Sequence, residues 1–215
     1  MRSHGVITFD SNNLNEGRTS NLLVRFNEML LSYTNATTYD LADRNDPLSA
    51  RTSRVLCSNF SGNSDGSPVN SSCLLDLASD EYGPCALTKE NMKQSVMGFA
   101  DGRPCVMMRL SRLIGWFPNV PETENKSNRS CSDGVKRCCH KRRITFHCEG
   151  APYDMFPKDG MDSCAFPYWN QQGYQSPFVM LKFNLTKGET RIKCKSNLKN
   201  IEVEKNEVKF KFRMN

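Results

Sequence analysis

The sequence predicts a mainly β fold: an immunoglobulin-like antiparallel β-sandwich with one amphipathic helix and long disulfide-held loops. Three observations predict it. Apolar and polar residues alternate in several short segments of the C-terminal half, one segment near the N-terminus has helical periodicity, and ten cysteines are spread along 215 residues. Alternation gives each strand one apolar face, and two sheets can bury such faces against each other. The Cys…Trp…Cys signature of antibody domains is absent.

The amphipathic helix is predicted over residues 15–34. Thr19 and Ser20 are candidate N-caps, and apolar residues then recur at three- and four-residue spacing at Leu22, Leu23, Phe26, Met29 and Leu30. Residues 45–83 are rich in Ser, Asn and Gly without periodicity, which predicts a loop-rich insert held by cysteines. Residues 98–215 are predicted to form a β-rich core.

Alternating patterns predict the strands of this core. One strand is expected over Cys105–Leu110, and others around Ile144–Cys148, Val179–Phe183 and Thr190–Cys194. Cys148 and Cys194 share a face with the apolar residues of their strands. The last strand has the clearest pattern, because charged residues alternate with Val208, Phe210, Phe212 and Met214.

Cysteines and glycosylation sequons together indicate an oxidising compartment. The six Asn-x-Ser/Thr sequons are Asn35, Asn59, Asn70, Asn125, Asn128 and Asn184. With an even number of cysteines, they favour a secreted or cell-surface glycoprotein. We expect residues 1–215 to form a single extracellular domain. No apolar run is long enough to cross a membrane and Met1–Asp10 lacks the apolar stretch of a signal peptide, so we expect a membrane anchor upstream.

Few side chains indicate catalysis. The histidines are His4, His140 and His147, and none lies beside a plausible nucleophile. Acidic residues lie among Pro and Gly, where turns are the expected explanation: Asp154, Asp159 and Asp162. No Gly-rich phosphate-binding loop with a lysine is present. We therefore expect a protein that is not an enzyme and has no cofactor.

Two clusters in the sequence are candidates for metal and nucleic-acid binding. Cys138-Cys139-His140 and His147-Cys148 are candidate zinc ligands, but they lack a Cys-x-x-Cys knuckle, and oxidation would compete for the thiols. We expect no metal site. The net charge is +6, and a basic cluster lies at Lys136, Arg137 and residues 141–143. Since no aromatic residues are interleaved there, we expect a solvated loop and no nucleic-acid partner.

Several motifs of the second half resemble those of a known family. They are Gly98-Phe99-Ala100-Asp101-Gly102-Arg103-Pro104-Cys105, His147-Cys148-Glu149-Gly150, Phe166-Pro167-Tyr168-Trp169-Asn170, Asn184-Leu185-Thr186 and Arg191-Ile192-Lys193-Cys194-Lys195. In order, they are similar to Gly-Tyr-x-x-Gly-x-Pro-Cys, Cys-x-Gly, Pro-Tyr-Tyr, Asn-Leu-Thr and Arg-Ile-x-Cys-Lys in the beta subunits of the sodium/potassium pump and the related proton/potassium pump. The resemblance extends from Gly98 to Lys195, whereas only helix and cysteine order support it from Met1 to Tyr82.

This resemblance implies three disulfides. They would join Cys57 with Cys73, Cys85 with Cys105, and Cys148 with Cys194. Four further cysteines depart from the family pattern, and we expect them to form additional disulfides: Cys131, Cys138, Cys139 and Cys164. In that arrangement Cys131 bonds one of the adjacent cysteines Cys138 and Cys139, and Cys164 bonds the other.

The resemblance also implies a non-catalytic role at the plasma membrane. A beta subunit binds the catalytic alpha subunit of the pump, assists its folding, assembly and delivery, and modulates potassium and sodium transport. The full-length form would be a single-pass type II membrane protein. Aromatic anchors are typical of interfaces, so the expected partner interface is Phe166, Tyr168, Trp169 and Tyr174. Two alternatives remain open: these rings fill the end of the sandwich, or the domain is a cell-surface adhesion or ligand-binding module without a pump partner.

Overall fold

The computed structural model describes residues 4–9, 75, 77–88, 91, 97–121, 143–163, 166, 168, 170, 174–202 and 204–214. Within these ranges the strands are β1 (His4–Phe9), β2 (Cys105–Arg109), β3 (Arg143–Ile144), β4 (Phe146–Glu149), β5 (Tyr153–Phe156), β6 (Met161–Asp162), β7 (Phe178–Phe183), β8 (Gly188–Ser196) and β9 (Glu207–Met214). A 3₁₀ segment spans Asp80–Cys85, with a kink at Gly83. The predicted helix over residues 15–34 and residues 45–74 of the predicted insert lie outside the described residues.

Two larger sheets organise these strands. One has the order β1-β9-β8-β4 and the other the order β2-β7-β5, while β3 and β6 form a short ribbon. The pairs are antiparallel except for β1, which lies parallel to β9. The described chain is thus mainly β with little helix, as the sequence predicted, and it is consistent with a β-sandwich.

Aromatic side chains join the two larger sheets. The ring of Phe183 on β7 lies 5.9 Å from that of Phe210 and 5.7 Å from that of Phe212, both on β9. On β5 the Tyr153 hydroxyl donates to the Phe146 carbonyl at 3.1 Å and accepts from the Cys148 amide at 3.2 Å. The apolar faces of the two sheets are therefore buried against each other around Phe183.

Strand β7 differs from the prediction. Alternation placed Val179 and Met180 on opposite faces, one of them polar, whereas Phe178 to Leu181 are all buried. The prediction was wrong because β7 is the middle strand of its sheet and its second face is also covered. Tyr82 of the 3₁₀ segment stacks on Phe178 with ring centroids 5.0 Å apart. A strand buried on both faces has a nearly continuous apolar sequence.

The segment with the three acidic residues also required correction. Asp154 lies in β5 and Asp162 in β6, so the prediction of turns was wrong for these two. Asp162 forms an ion pair with Arg143, with an N–O distance of 3.8 Å. Asp159 lies in the turn between the strands, next to Gly160, whose amide donates to the Pro157 carbonyl at 2.9 Å.

Two disulfides attach neighbouring segments of the fold. Cys85–Cys105 ties the 3₁₀ segment to β2, and Cys148–Cys194 joins residues that lie directly opposite each other on β4 and β8. Both are pairs that the family resemblance implies. Their partners are 20 and 46 residues apart, and closing such loops stabilises a fold by about 3 and 4 kcal/mol in the chain-entropy model. The other six cysteines lie outside the described residues.

Candidate partner-binding surface

An apolar surface follows the end of β2. After Arg109 the chain leaves the sheet, and Leu113 and Ile114 are 54% and 70% exposed. They are the large hydrophobic residues that stand out as exposed in the part of the chain that the structure describes. Single exposed apolar residues are common, but two adjacent ones beside aromatic rings form a patch that a partner can cover.

Tyr168 lies directly beside this pair. Ile114 and Tyr168 form an isolated parallel β-bridge, and the Gly115 amide donates to the Tyr168 carbonyl at 2.9 Å. Gly115 has a φ of 69°, which glycine adopts without the steric cost that other residues have. The Tyr168 hydroxyl donates to Oδ1 of Asn170 at 2.7 Å. Two segments far apart in sequence are thus joined at one surface.

A cation packs on the rings of this surface. The Arg112 guanidinium carbon lies 5.7 Å from the ring centroids of both Tyr168 and Tyr174, which are themselves 4.9 Å apart. Cation–π contacts of this kind stabilise by about 0.5–1 kcal/mol when exposed. We call the set formed by Arg112, Leu113, Ile114, Tyr168 and Tyr174 the Arg112 surface.

The predicted interface residues occupy different depths. Phe166 is buried and meets the Trp116 ring edge to face at 6.0 Å, and Tyr174 is also buried. Tyr168 is half-buried, whereas Trp169 lies outside the described residues. The structure therefore brings Tyr168 and Tyr174 together, and it places Phe166 in the core.

Three residues of the Arg112 surface were missed by sequence reasoning: Arg112, Leu113 and Ile114. A signal for the apolar pair is nevertheless present. Two adjacent apolar residues cannot share one face of a strand, and Gly115 follows them at once. At least one of the two therefore had to point away from the core if the strand continued.

A shallow groove continues from this surface. Its volume is about 340 Å³, and its apolar lining comes from Leu110, Leu113, Trp116 and Ile201. At its polar side Lys205 and Glu202 form an exposed ion pair at 2.6 Å. The groove enlarges the apolar area next to Leu113 without adding a catalytic group.

Of the candidate zinc ligands, Cys138-Cys139-His140 lies outside the described residues, whereas His147 and Cys148 are described. His147 is exposed on β4, and Cys148 is bonded to Cys194, so its sulfur is not a free thiolate. Among the residues that the structure describes, no group of three or more His, Cys, Asp or Glu side chains is arranged to hold a metal ion. None of the helical segments in those same ranges has the length and apolarity needed to span a membrane.

One sequon lies in the described chain. Asn184 is exposed directly after β7, and its backbone N–H donates to the Pro152 carbonyl at 2.9 Å. Its side chain is accessible for glycan attachment. The other predicted glycosylation sites lie outside the described residues, and occupancy of all six stays a prediction.

The fold and surface define a class: a mainly β, disulfide-stabilised domain with an exposed apolar and aromatic patch. A sequence model of the family described as "Sodium / potassium ATPase beta chain" matches residues 10–215. The chain therefore belongs to the sodium/potassium ATPase beta chain family.

Individual relatives agree with this assignment. The chain is 30% identical over 146 residues to the probable sodium/potassium-transporting ATPase subunit beta-3 of Caenorhabditis briggsae, covering 63% of this chain and 41% of the relative. It is 27% identical over 140 residues to subunit beta-1 of Drosophila melanogaster, covering 57% and 42%. It is 29% identical over 119 residues to human subunit beta-2, covering 53% and 37%. The matched part thus spans about two fifths of the length of these relatives.

Proposed function

We propose that this chain is the extracellular part of a non-catalytic beta subunit that assembles with the catalytic alpha subunit of a sodium/potassium-transporting P-type ATPase. In this role it assists folding, assembly and plasma-membrane delivery of the alpha subunit and modulates potassium and sodium transport. ATP hydrolysis and ion coordination belong to the alpha subunit. A single transmembrane segment in type II orientation anchors the full-length protein. Family membership and the names of the relatives support this proposal.

The single observation that carries the proposed contact is the exposure of Leu113 and Ile114 on the Arg112 surface. The centre of a protein interface is apolar and aromatic, with a polar rim. Burying such a side chain from full exposure contributes about 1.5–3 kcal/mol, and covering Leu113 and Ile114 contributes the share that corresponds to their remaining exposure, 54% and 70%. Because Arg112 packs on two rings, part of this surface is ordered before a partner arrives, which lowers the entropic cost of binding.

The aromatic residues of the predicted interface have two different roles in it. Tyr168 and Trp169 are the proposed contact residues, and Tyr168 presents a polar hydroxyl beside the apolar pair. Phe166 and Tyr174 hold the segment in place from the core side, since both are buried. The extracellular loops of the alpha subunit are the surface that we expect to cover it.

The test is co-expression of the full-length gene product with a sodium/potassium-pump alpha subunit. Two measurements are made: the amount of co-purified alpha subunit and the amount of mature alpha subunit at the cell surface. Wild type should raise both. The double variant Leu113→Ser/Ile114→Ser, and separately Tyr168→Ala/Trp169→Ala, should reduce co-purification about tenfold, because central apolar and aromatic anchors dominate interface energies.

A matched control changes exposed residues elsewhere. Lys158→Ser/Asp159→Ser alters the β5–β6 turn and should leave co-purification at the wild-type level. Equal recovery with the Leu113/Ile114 variant and with this control would contradict the contact surface. If the wild-type protein is folded and glycosylated but recovers no alpha subunit, the beta-subunit role itself is wrong and the adhesion module becomes the better hypothesis.

A further inference from the structure

The outer face of the four-stranded sheet carries a cationic array. Six side chains on β8 and β9 form it, each between 39% and 76% exposed: Arg191, Lys193, Lys195, Lys209, Lys211 and Arg213. They alternate with inward-facing residues of the core, so all six lie on the same side of the sheet. We call this set the β8–β9 cationic face.

The strand register places like charges opposite each other. Arg191 is the direct partner of Lys211, and Lys193 is the direct partner of Lys209. Like charges at directly opposed positions of an antiparallel pair destabilise the sheet. The centre of the face therefore consists of four cations whose mutual repulsion weakens the fold. A bound anion would offset that repulsion.

Two carboxylates, one at each end of this face, pair with its six cations. Glu189 lies within 3.1 Å of Arg191, 3.2 Å of Arg213 and 3.4 Å of Lys211. At the diagonally opposite end, Glu207 lies within 2.7 Å of Lys209, 3.0 Å of Lys193 and 3.5 Å of Lys195. Hydrogen bonds from Arg191 and Arg213 lower the pKa of Glu189 to about 2, and hydrogen bonds from Lys209 and Lys193 do the same for Glu207.

The remaining charge is strongly positive. Both carboxylates are ionised at neutral pH, and Glu149, the register partner of Lys193 on β4, adds a third. Six cations thus face three carboxylates. Glu189 and Glu207 are each shared among three cations, so the face keeps an excess of positive charge.

We propose that the β8–β9 cationic face binds a linear sulfated polysaccharide. Its cations form two rows of three, with about 4.8 Å between rows and about 6.7 Å between successive side chains in a row. A polymer with sulfate groups at regular intervals can pair with such a grid, and arginine and lysine are the usual partners of such oxyanions. The occupant is a polyanion of the extracellular matrix.

Two observations favour this occupant over other anions. The outward positions of β8 and β9 that alternate with the core residues are all charged, so the apolar centre of a protein interface is missing here. Disulfide bonding on the same sheet, through Cys148–Cys194, indicates an oxidising environment, whereas anionic lipids are concentrated in the cytoplasmic leaflet. The proposal does not depend on the alpha subunit as a partner.

The test uses the disulfide-bonded, glycosylated chain and heparin as the probe. We expect saturable binding that weakens as salt increases, and a thermal midpoint that rises with heparin. Lys193→Gln/Lys209→Gln removes one central like-charge pair. It should bind heparin about tenfold more weakly at physiological salt, since two exposed ion pairs are lost. Without heparin its thermal midpoint should stay close to that of wild type, because relief of the like-charge contact offsets the loss of the two ion pairs with Glu207.

A control of equal charge change is Lys158→Gln/Lys199→Gln, which removes two exposed lysines outside the face. This control should bind heparin as wild type does. Equal loss in both double variants would overturn the proposal, because net charge alone would then explain binding. It would also be overturned if fully desulfated heparin, polyglutamate or phosphatidylserine vesicles bound as tightly as heparin.

Discussion

At the scale of single residues, Gly150 has the least room for a side chain among the glycines that the structure describes. It follows β4 with a φ of 111°, and a Cβ at this position would collide with the Arg191 carbonyl oxygen on β8. The Cys-x-Gly step of the family motif thus has a physical reason, since the chain must turn against the neighbouring strand directly after Cys148. Only glycine combines a positive φ with so close an approach.

We predict that Gly150→Ala lowers the free energy of unfolding by about 3 kcal/mol or more, because backbone strain and a steric collision add together. Gly188→Ala is the matched comparison. Gly188 has a φ of 104° but open space around a Cβ, so it should lose only about 1–2 kcal/mol of strain. Urea unfolding of both variants measures the difference. Equal losses would show that the Arg191 carbonyl moves aside without cost.

At the scale of strands, the charged ends of β8 and β9 give stability a defined pH dependence. The hydrogen bond from Lys209, with that from Lys193, lowers the pKa of Glu207 from 4.5 to about 2. A carboxyl group whose pKa is lower in the folded state stabilises the fold above its unfolded pKa. That contribution is lost as the pH falls from about 4.5 through about 2.

Glu207→Gln should therefore reduce the free energy of unfolding at neutral pH. It should also make the decrease in stability between pH 4.5 and 2 smaller than in wild type. Glu204→Gln, which changes an exposed carboxylate just before β9, is the control and should keep the wild-type profile. The measurement is the urea midpoint at several pH values across this window. A Glu207→Gln profile parallel to that of wild type would contradict the assignment.

Strands differ in how far the sequence predicts them. The alternation in β8 and β9 was predicted because each strand has one buried and one wet face. Strand β7 was predicted as a strand but its second buried face was not, because covering by Tyr82 is a long-range contact. Strand β5 lies between Pro152 and Pro157, and these turn signals concealed it. Strand β1 was missed because its parallel pairing with β9 joins opposite ends of the sequence.

At the scale of the whole molecule, Phe183 connects the two larger sheets. Its side chain is fully buried, and its ring lies 5.8 Å from Tyr153, 5.9 Å from Phe210 and 5.7 Å from Phe212. Tyr153 belongs to the three-stranded sheet, and Phe210 and Phe212 belong to the four-stranded sheet. Removing the ring leaves a cavity that neither sheet can close without moving against the other.

Phe183→Ala should lower the free energy of unfolding by about 3–5 kcal/mol. Both sheets should then unfold together, so that near-ultraviolet and far-ultraviolet circular dichroism give the same urea midpoint. Met107→Ala, at a half-buried position on β2, is a milder comparison. A loss below about 1 kcal/mol for Phe183→Ala would mean that the interface between the sheets does not depend on this ring.

The candidate partner surface could be predicted only in part. Tyr168 and Tyr174 were expected from their residue types, since tyrosine is typical of interfaces. Arg112, Leu113 and Ile114 reach the same surface through a bridge that joins residues 114 and 168, and local pattern contains no trace of that pairing. Burial of Phe166 likewise depends on Trp116, which lies fifty residues earlier in the chain.

The Cys148–Cys194 bond also determines how the protein responds to pulling. Strands β5, β6 and β7 lie inside its closed loop of chain, because their residues fall between the two cysteines. A force applied from outside the loop passes through the sulfur bridge and bypasses them. The fully stretched chain would then be about 160 Å shorter than its full contour length, because the 46 residues inside the loop cannot extend until a reductant opens the bond. The bridge is therefore a mechanical bypass that shields these three strands from tension along the chain.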